Sequence, residues 1–168
     1  LKMIYVGRIS LVKGFPNAIR LARESAQPID LTIVGTEIEL NKQLEDIEAT
    51  IDRIKIMRNV PDHDLKKQYE ANSIYILPSL YEGFSISLIE AMSFGLIPIA
   101  SVNSAAPEIL RGTSLQRFLF EPVDFQSLFE AWVLLSSLSQ LELQELSLLS
   151  QKIASNYSFE RFGERIFS

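Results

Sequence analysis

Two glutamates, Glu82 and Glu90, stand with seven residues between them, and Gly83 touches the first. An apolar run, Ile74-Tyr75-Ile76-Leu77-Pro78, precedes them, and the good helix formers Ala91-Met92 follow. That order reads as buried strand, tight loop and helix start. A helix start presents backbone N–H groups without intrahelical partners and the positive end of the peptide dipoles, so it receives an anion. Gly83 lets the backbone approach a ligand closely, and the amides of Phe84, Ser85 and Ile86 would point at it. The carboxylates repel phosphate but accept hydrogen bonds from hydroxyls, so the implied ligand is a phosphate joined to a sugar. Glu82, in the loop mouth, would meet the sugar; Glu90, more than a turn into the helix, would reach a ribose. The plainer reading makes Glu82 a helix-terminal charge and Glu90 a surface acid.

A second pattern is Gly7-Arg8 followed by Lys13-Gly14. Both cations fall on the loop leaving the first apolar strand, just ahead of a helix. A guanidinium fork and a point-charge ammonium at one helix entrance suit a diphosphate. The alternative is two solvated cations among turn glycines. The pattern is neither a Walker loop nor a G-x-G-x-x-G fingerprint.

Short apolar runs alternate with helical periodicity along most of the chain. Strands are expected over Lys2 to Gly7, Asp30 to Gly35, Ile54 to Met57, Ile74 to Leu77, Ile97 to Ser101 and Arg117 to Phe120. Helices are expected over 15 to 26, around Leu40, Leu44, Ile47 and Ile51, and from Leu65 to Ala71. Others follow Glu82, run from Leu128 to Leu138 and from Leu141 to Ile153, and close the chain from Phe159 to Phe167. Strands apolar from end to end and separated by helices imply a parallel sheet covered on both faces. The fold class is therefore α/β, a doubly wound, Rossmann-like parallel sheet of about six strands, with ligands at the carboxyl ends of the strands.

The 168 residues read as one domain without repeat or linker, 47% hydrophobic and 22% charged. A formal charge of −5 argues against nucleic acid as a partner. The absence of cysteine excludes disulfides and thiolate metal sites and fits a reducing compartment. No apolar stretch reaches the ~20 residues of a membrane span, and no signal peptide is visible. Leu1 is not an initiator methionine, which fits a piece of a longer protein.

With these residues in view, the chain resembles the C-terminal, nucleotide-sugar-binding half of the retaining glycosyltransferases of family 4, which have the two-domain GT-B architecture. Gly7-Arg8 with Lys13-Gly14 is similar to the family's G-R-x(4)-K-G phosphate loop. Leu77-Pro78-Ser79, Glu82-Gly83-Phe84 and Glu90-Ala91 are similar to its P-S-x-x-E-G-F and E-x(7)-E signature. Ser93 to Ala100 resembles the A-x-G-x-P-V-I stretch that follows, and Phe120-Glu121-Pro122-Val123-Asp124 the turn ending in P-x-D. The resemblance implies that Arg8 and Lys13 bind the donor diphosphate and that Glu82 stabilises the transferred sugar. It also implies that Glu90 holds the ribose, the 84 to 86 amides the phosphate, and the residues around Val60 the base. UDP-sugar is the default donor, without metal or other cofactor. An absent N-terminal domain would bring a sugar, glycan or lipid-linked acceptor and any membrane contact. A cytoplasmic enzyme of polysaccharide biosynthesis, at most peripheral at the inner membrane face, is the expected setting, and this chain alone would bind donor without transferring sugar. The chain departs from the family pattern at Gly35-Thr36-Glu37-Ile38-Glu39 and at Ser104-Ala105-Ala106-Pro107-Glu108, where glycine-rich turns are usual.

Asp62-His63-Asp64 has the D-x-D spacing of a metal-assisted donor site in another architecture, but Pro61 before it and Leu65-Lys66-Lys67 after it read as helix capping, and the lone His63 as surface. Lys66-Lys67, Lys55 and Arg58 read as solvated charges, Phe159, Phe162 and Phe167 as core contacts, and the Leu138 to Leu149 stretch as packing. Two other functions remain open at this point: a sugar-nucleotide 2-epimerase of the same architecture, and a non-catalytic nucleotide- or protein-binding module.

Overall fold

A computed structural model describes residues 1–36 and 51–157. Six strands form one all-parallel sheet: β1 (Lys2–Val6), β2 (Asp30–Gly35), β3 (Ile54–Arg58), β4 (Ile74–Leu77), β5 (Ile97–Ser101) and β6 (Leu119–Phe120). Their spatial order is β3-β2-β1-β4-β5-β6. The chain winds outward from β1 through β2 to β3, returns to lay β4 against the other side of β1, then winds the opposite way. Crossovers of one hand running in opposite directions place their helices on opposite faces. Accordingly α1 (Phe15–Glu24) packs with α5 (Phe125–Ser136), whereas α3 (Ile86–Ser93) packs with α6 (Gln140–Ala154). A helix α2 (Asp62–Glu70) and a short helix α4 (Ala106–Ile109) complete the set. Among the described residues no helix is long and apolar enough to cross a membrane.

Burial on both faces explains the apolar runs. Every residue of β4 and β5 is buried, and Met3, Ile4 and Tyr5 of β1 are too. Pro98 sits inside β5 without cost to the ladder. The Ile97 N–H donates to Ser73 O on the β4 side, so the next nitrogen faces the other way, where β6 pairs only from Ala100 onward.

Two elements depart most from their expected bounds. The last strand is only Leu119–Phe120, because Ser114–Phe118 winds as a 3-10 helix that buries Leu115 and Phe118 at its three-residue period. Helix α2 begins three residues early, at Asp62, behind extended Pro61 as N-cap. No side chain caps it: Asp62 and Asp64 lie within the first turn, where their charge meets the helix dipole, in place of the expected capping role. Of the helix expected around Leu40, Leu44, Ile47 and Ile51, only Ile51 is described, packed against the core outside any helix; the rest of it and the terminal helix carrying Phe159, Phe162 and Phe167 lie outside the described residues.

One backbone contact sets how the sheet opens above β1 and β4. Gly14, between the 3-10 turn Leu11–Lys13 and α1, has φ 69°, and a Cβ there would lie 1.8 Å from the Pro78 carbonyl oxygen. Only a residue without a side chain lets these loops meet. The Gly14→Ala variant is expected to lose about 2 kcal/mol or more, a drop in melting temperature of roughly 4–8 °C for a chain of this size. Thermal unfolding followed by circular dichroism checks this, and an unchanged midpoint would contradict it.

Candidate functional site

The loops leaving β1 and β4 flank the point where the strand order reverses, and a cleft of about 470 Å³ lies between them. Arg8, Ser10, Val12, Lys13, Tyr81, Glu82 and Gly83 line it. An open parallel sheet leaves such a crevice because adjacent connections depart to opposite faces. Backbone bonds fix its walls. Leu80 N–H donates to Val12 O at 2.9 Å, and Glu82 N–H to Asn103 O at 3.0 Å. The Asn103 side-chain amide donates back to Leu80 O at 3.1 Å. The β4 loop is thereby tied on one side to the loop after β1 and on the other to the loop after β5.

On this frame the Lys13 ammonium donates to Glu82 Oε2 at 2.7 Å, with the two side chains only 15% and 19% exposed. Ser79 Oγ donates to the same oxygen at 3.3 Å. Arg8 lines the cleft, exposed, and has no ion pair among the described residues. The cleft thus holds one cation matched by a carboxylate and one open to an incoming anion.

Beneath it lies a network of buried hydroxyls. Tyr5 Oη donates to the Arg8 carbonyl, holding the turn that carries the guanidinium. Tyr75 Oη shares a 2.7 Å hydrogen bond with Ser87 Oγ and reaches Val6 O at 3.4 Å, joining the end of β1 to the first turn of α3. Ser85, the N-cap of α3, accepts from Leu88 N–H and lies 3.2 Å from Ser87 Oγ. Burial above all pushes the Tyr5 and Tyr75 phenols well above their ordinary range, with the charge of Glu82 adding to it. Tyr69, also buried, is raised for the same first reason, with Tyr75 and Glu90 contributing.

The sequence-derived residues divide into two groups. Arg8, Lys13, Glu82 and Gly83 come together in the cleft. Phe84 packs toward Tyr157 with ring centroids 6.2 Å apart, Ser85 is consumed as the N-cap, and exposed Ile86 opens α3. Glu90, exposed on α3, is not among the residues that line the cleft; Tyr69 Oη donates to it at 3.2 Å, and Phe94 stacks on Tyr69 at 5.4 Å. Val60, beyond β3, packs against the core away from the cleft lining. Ser10, Val12, Tyr81 and Ser79 went unremarked as site residues, although Ser79 stands in the quoted P-S motif; the buried role of Tyr75 leaves no trace in an all-apolar strand. His63 is 72% exposed beside Asp64, whose carboxyl the hydrogen bond from Lys67 holds below its usual range. Among the described residues no group of three potential ligands could hold a metal ion.

Residues 1–145 match the family described as glycosyl transferases group 1. The chain belongs to that family. A glycosyltransferase of Haemophilus influenzae is 30% identical over 167 residues, covering 96% of this chain and 46% of the relative. The GDP-mannose:cellobiosyl-diphosphopolyprenol alpha-mannosyltransferase of Xanthomonas oryzae pv. oryzae is 31% identical over 108 residues, 59% of this chain and 28% of that protein. The chain therefore spans less than half the length of these curated relatives. The solved C-terminal domain of a group 1 family glycosyl transferase from Francisella tularensis superposes with a TM-score of 0.75 at 21% identity, covering 94% of this chain and 87% of that one. The fold is that of a GT-B C-terminal domain, as the sequence motifs implied.

The three raised phenols carry a pH consequence. An unfolded tyrosine ionises near pH 10, whereas Tyr5, Tyr69 and Tyr75 keep their protons to higher pH in the folded chain. Their contribution is therefore undiminished below about pH 10 and lost as pH rises above it. Denaturant midpoints measured across that range should fall, with phenolate absorbance of these residues appearing only on unfolding. Full ionisation of all five tyrosines in a still-folded protein would refute this.

Proposed function

We propose that this chain is the donor-binding domain of a retaining glycosyltransferase that moves a hexose from a nucleotide-diphosphate sugar to a sugar, glycan or lipid-linked acceptor. The observation that carries this reading is the meeting of Arg8, Lys13 and Glu82 in one cleft at the switch point of a parallel sheet. Two cations suit a diphosphate, and a carboxylate among them suits hydroxyls; no simpler ligand calls for both. The group 1 family and the GDP-mannose donor in the Xanthomonas relative's name support the same class.

In this reading Lys13 and Arg8 neutralise the charge that develops on the departing diphosphate, aided by the N-terminal end of α3. Glu82 accepts hydrogen bonds from the sugar and steadies the positive charge developing at the carbon under transfer. Glu90, steadied by Tyr69, takes the ribose hydroxyls, and the residues around Val60 meet the base. The cations supply what a metal would bring, so binding needs none. The acceptor and the remaining catalytic groups belong to a second domain in a longer chain, of cytoplasmic setting and peripheral membrane contact at most.

Melting-temperature shifts with UDP, GDP, ADP and CMP test the reading, because a ligand that favours the folded state raises its stability by mass action. At least one nucleotide should raise the midpoint with EDTA present. Arg8→Ala and Lys13→Ala should each weaken that nucleotide by about fivefold or more, roughly 1 kcal/mol. No shift with any of the four, or unchanged affinity in both variants, would overturn the assignment. The isolated chain should transfer no sugar from donor to acceptor, and turnover by it without a second protein would remove the two-domain part of the proposal.

A further inference from the structure

Lys13 and Glu82 are partners of each other within the cleft. Their 2.7 Å contact is largely screened from water, and Ser79 gives the carboxylate oxygen a second donor. Among the described residues, Lys13 has a carboxylate within ion-pair distance and Arg8 has none. A diphosphate entering the cleft meets Arg8 unopposed, then must draw the Lys13 ammonium away from Glu82 or share it. Either outcome leaves a carboxylate that has lost all or part of its counter-ion's hold, half-buried and close to a phosphate of the same sign. Such a group is unfavourable unless new donors reach it. The described surroundings offer it only the Ser79 hydroxyl. A sugar attached to the diphosphate brings several hydroxyl donors to Glu82; a free nucleoside diphosphate has hydroxyls only on its ribose, which the reading above gives to Glu90.

From this geometry we infer that Glu82 is a specificity-determining residue that competes with bare diphosphate for Lys13, so that the cleft favours a nucleotide sugar over the spent nucleoside diphosphate. The inference rests on the donor-site reading above and extends it to the order of events. The intact ligand replaces the carboxylate's lysine with its own hydroxyls. Once the sugar has left, Glu82 regains Lys13 and expels the remaining diphosphate. The Lys13–Glu82 pair is thus an internal stand-in for substrate, with the carboxylate holding the place of a phosphate. A carboxylate placed only to hold sugar would not need to touch the phosphate-binding lysine at hydrogen-bond distance.

A double-mutant cycle tests this on the whole chain, with UDP, GDP and ADP titrated calorimetrically against wild type, Glu82→Gln, Lys13→Met and the double variant. UDP-glucose and GDP-mannose serve as the sugar-bearing probes. Glutamine keeps the shape of Glu82 and removes the charge that competes for Lys13. Glu82→Gln is expected to bind a nucleoside diphosphate about fivefold or more tighter than wild type, and the matching nucleotide sugar no tighter. In the Lys13→Met background the same change should yield no gain. Equal or weaker nucleoside diphosphate binding by Glu82→Gln overturns the inference. So does an undiminished gain in the absence of Lys13, which would mark a general field effect. Binding of none of the five probes by any of the four proteins overturns the donor-site reading itself, a result distinct from either. Unfolding midpoints of the four proteins, measured alongside, confirm that each compared protein is folded.

Discussion

The close approach of the turn leaving β1 to the loop leaving β4 governs the remainder of the molecule. At the reversal of strand order, the two connections depart to opposite faces, and nothing in a parallel sheet holds them together. Here the gap is spanned by the Gly14 backbone lying on the Pro78 carbonyl and by the Leu80 to Val12 hydrogen bond. Those two contacts fix the backbone on either side of Lys13 and the loop that leads into Glu82, two residues 69 apart in sequence. The charges meet because their supports are joined first. An ion pair of two long side chains on independent loops would contribute little, since ordering them offsets the attraction.

Beneath that clasp, polar atoms have been admitted to an otherwise apolar interior. Tyr5 and Tyr75 occupy the two adjacent central strands, and each turns its hydroxyl toward the carboxyl edge of the sheet. Their rings belong to the core, while their oxygens hold the Arg8 turn and the first turn of α3. The same side chains therefore serve packing and the alignment of ligand-facing groups, and partnered hydroxyls make their burial tolerable. A site supported in this way is ordered before any ligand arrives, so binding spends less on organising it.

Much of the architecture was legible because each level of the sequence agrees with the next. The apolar runs that become β1, β2, β4 and β5 are continuous, as burial on two faces demands, and their ends fall within a residue of expectation. The cleft could be foreseen from Arg8, Lys13, Glu82 and Gly83, since both motifs follow strands that the winding makes neighbours. What escaped depends on three-dimensional company. Leu115 and Phe118 read equally well in a strand or a tight helix until the short reach of β6 is known. Asp62 and Asp64 look like caps, yet the chain enters α2 through Pro61 and leaves them inside the first turn. Glu90 keeps its expected helical position, while its hydrogen bond from Tyr69, itself stacked on Phe94, is a contact that no spacing rule foretells.

The rims of the sheet have a bearing on how the molecule behaves in company. At one margin β6 is two residues long; at the other, β3 places Lys55 and Arg58 outward. Long, uncharged borders invite foreign strands to add on through main-chain pairing, and neither margin among the described residues is of that kind. Lateral growth of the sheet, the usual route from a stray encounter to a fibre, is blunted at both sides, which leaves the carboxyl edge free to meet its partners by chemistry rather than by strand addition.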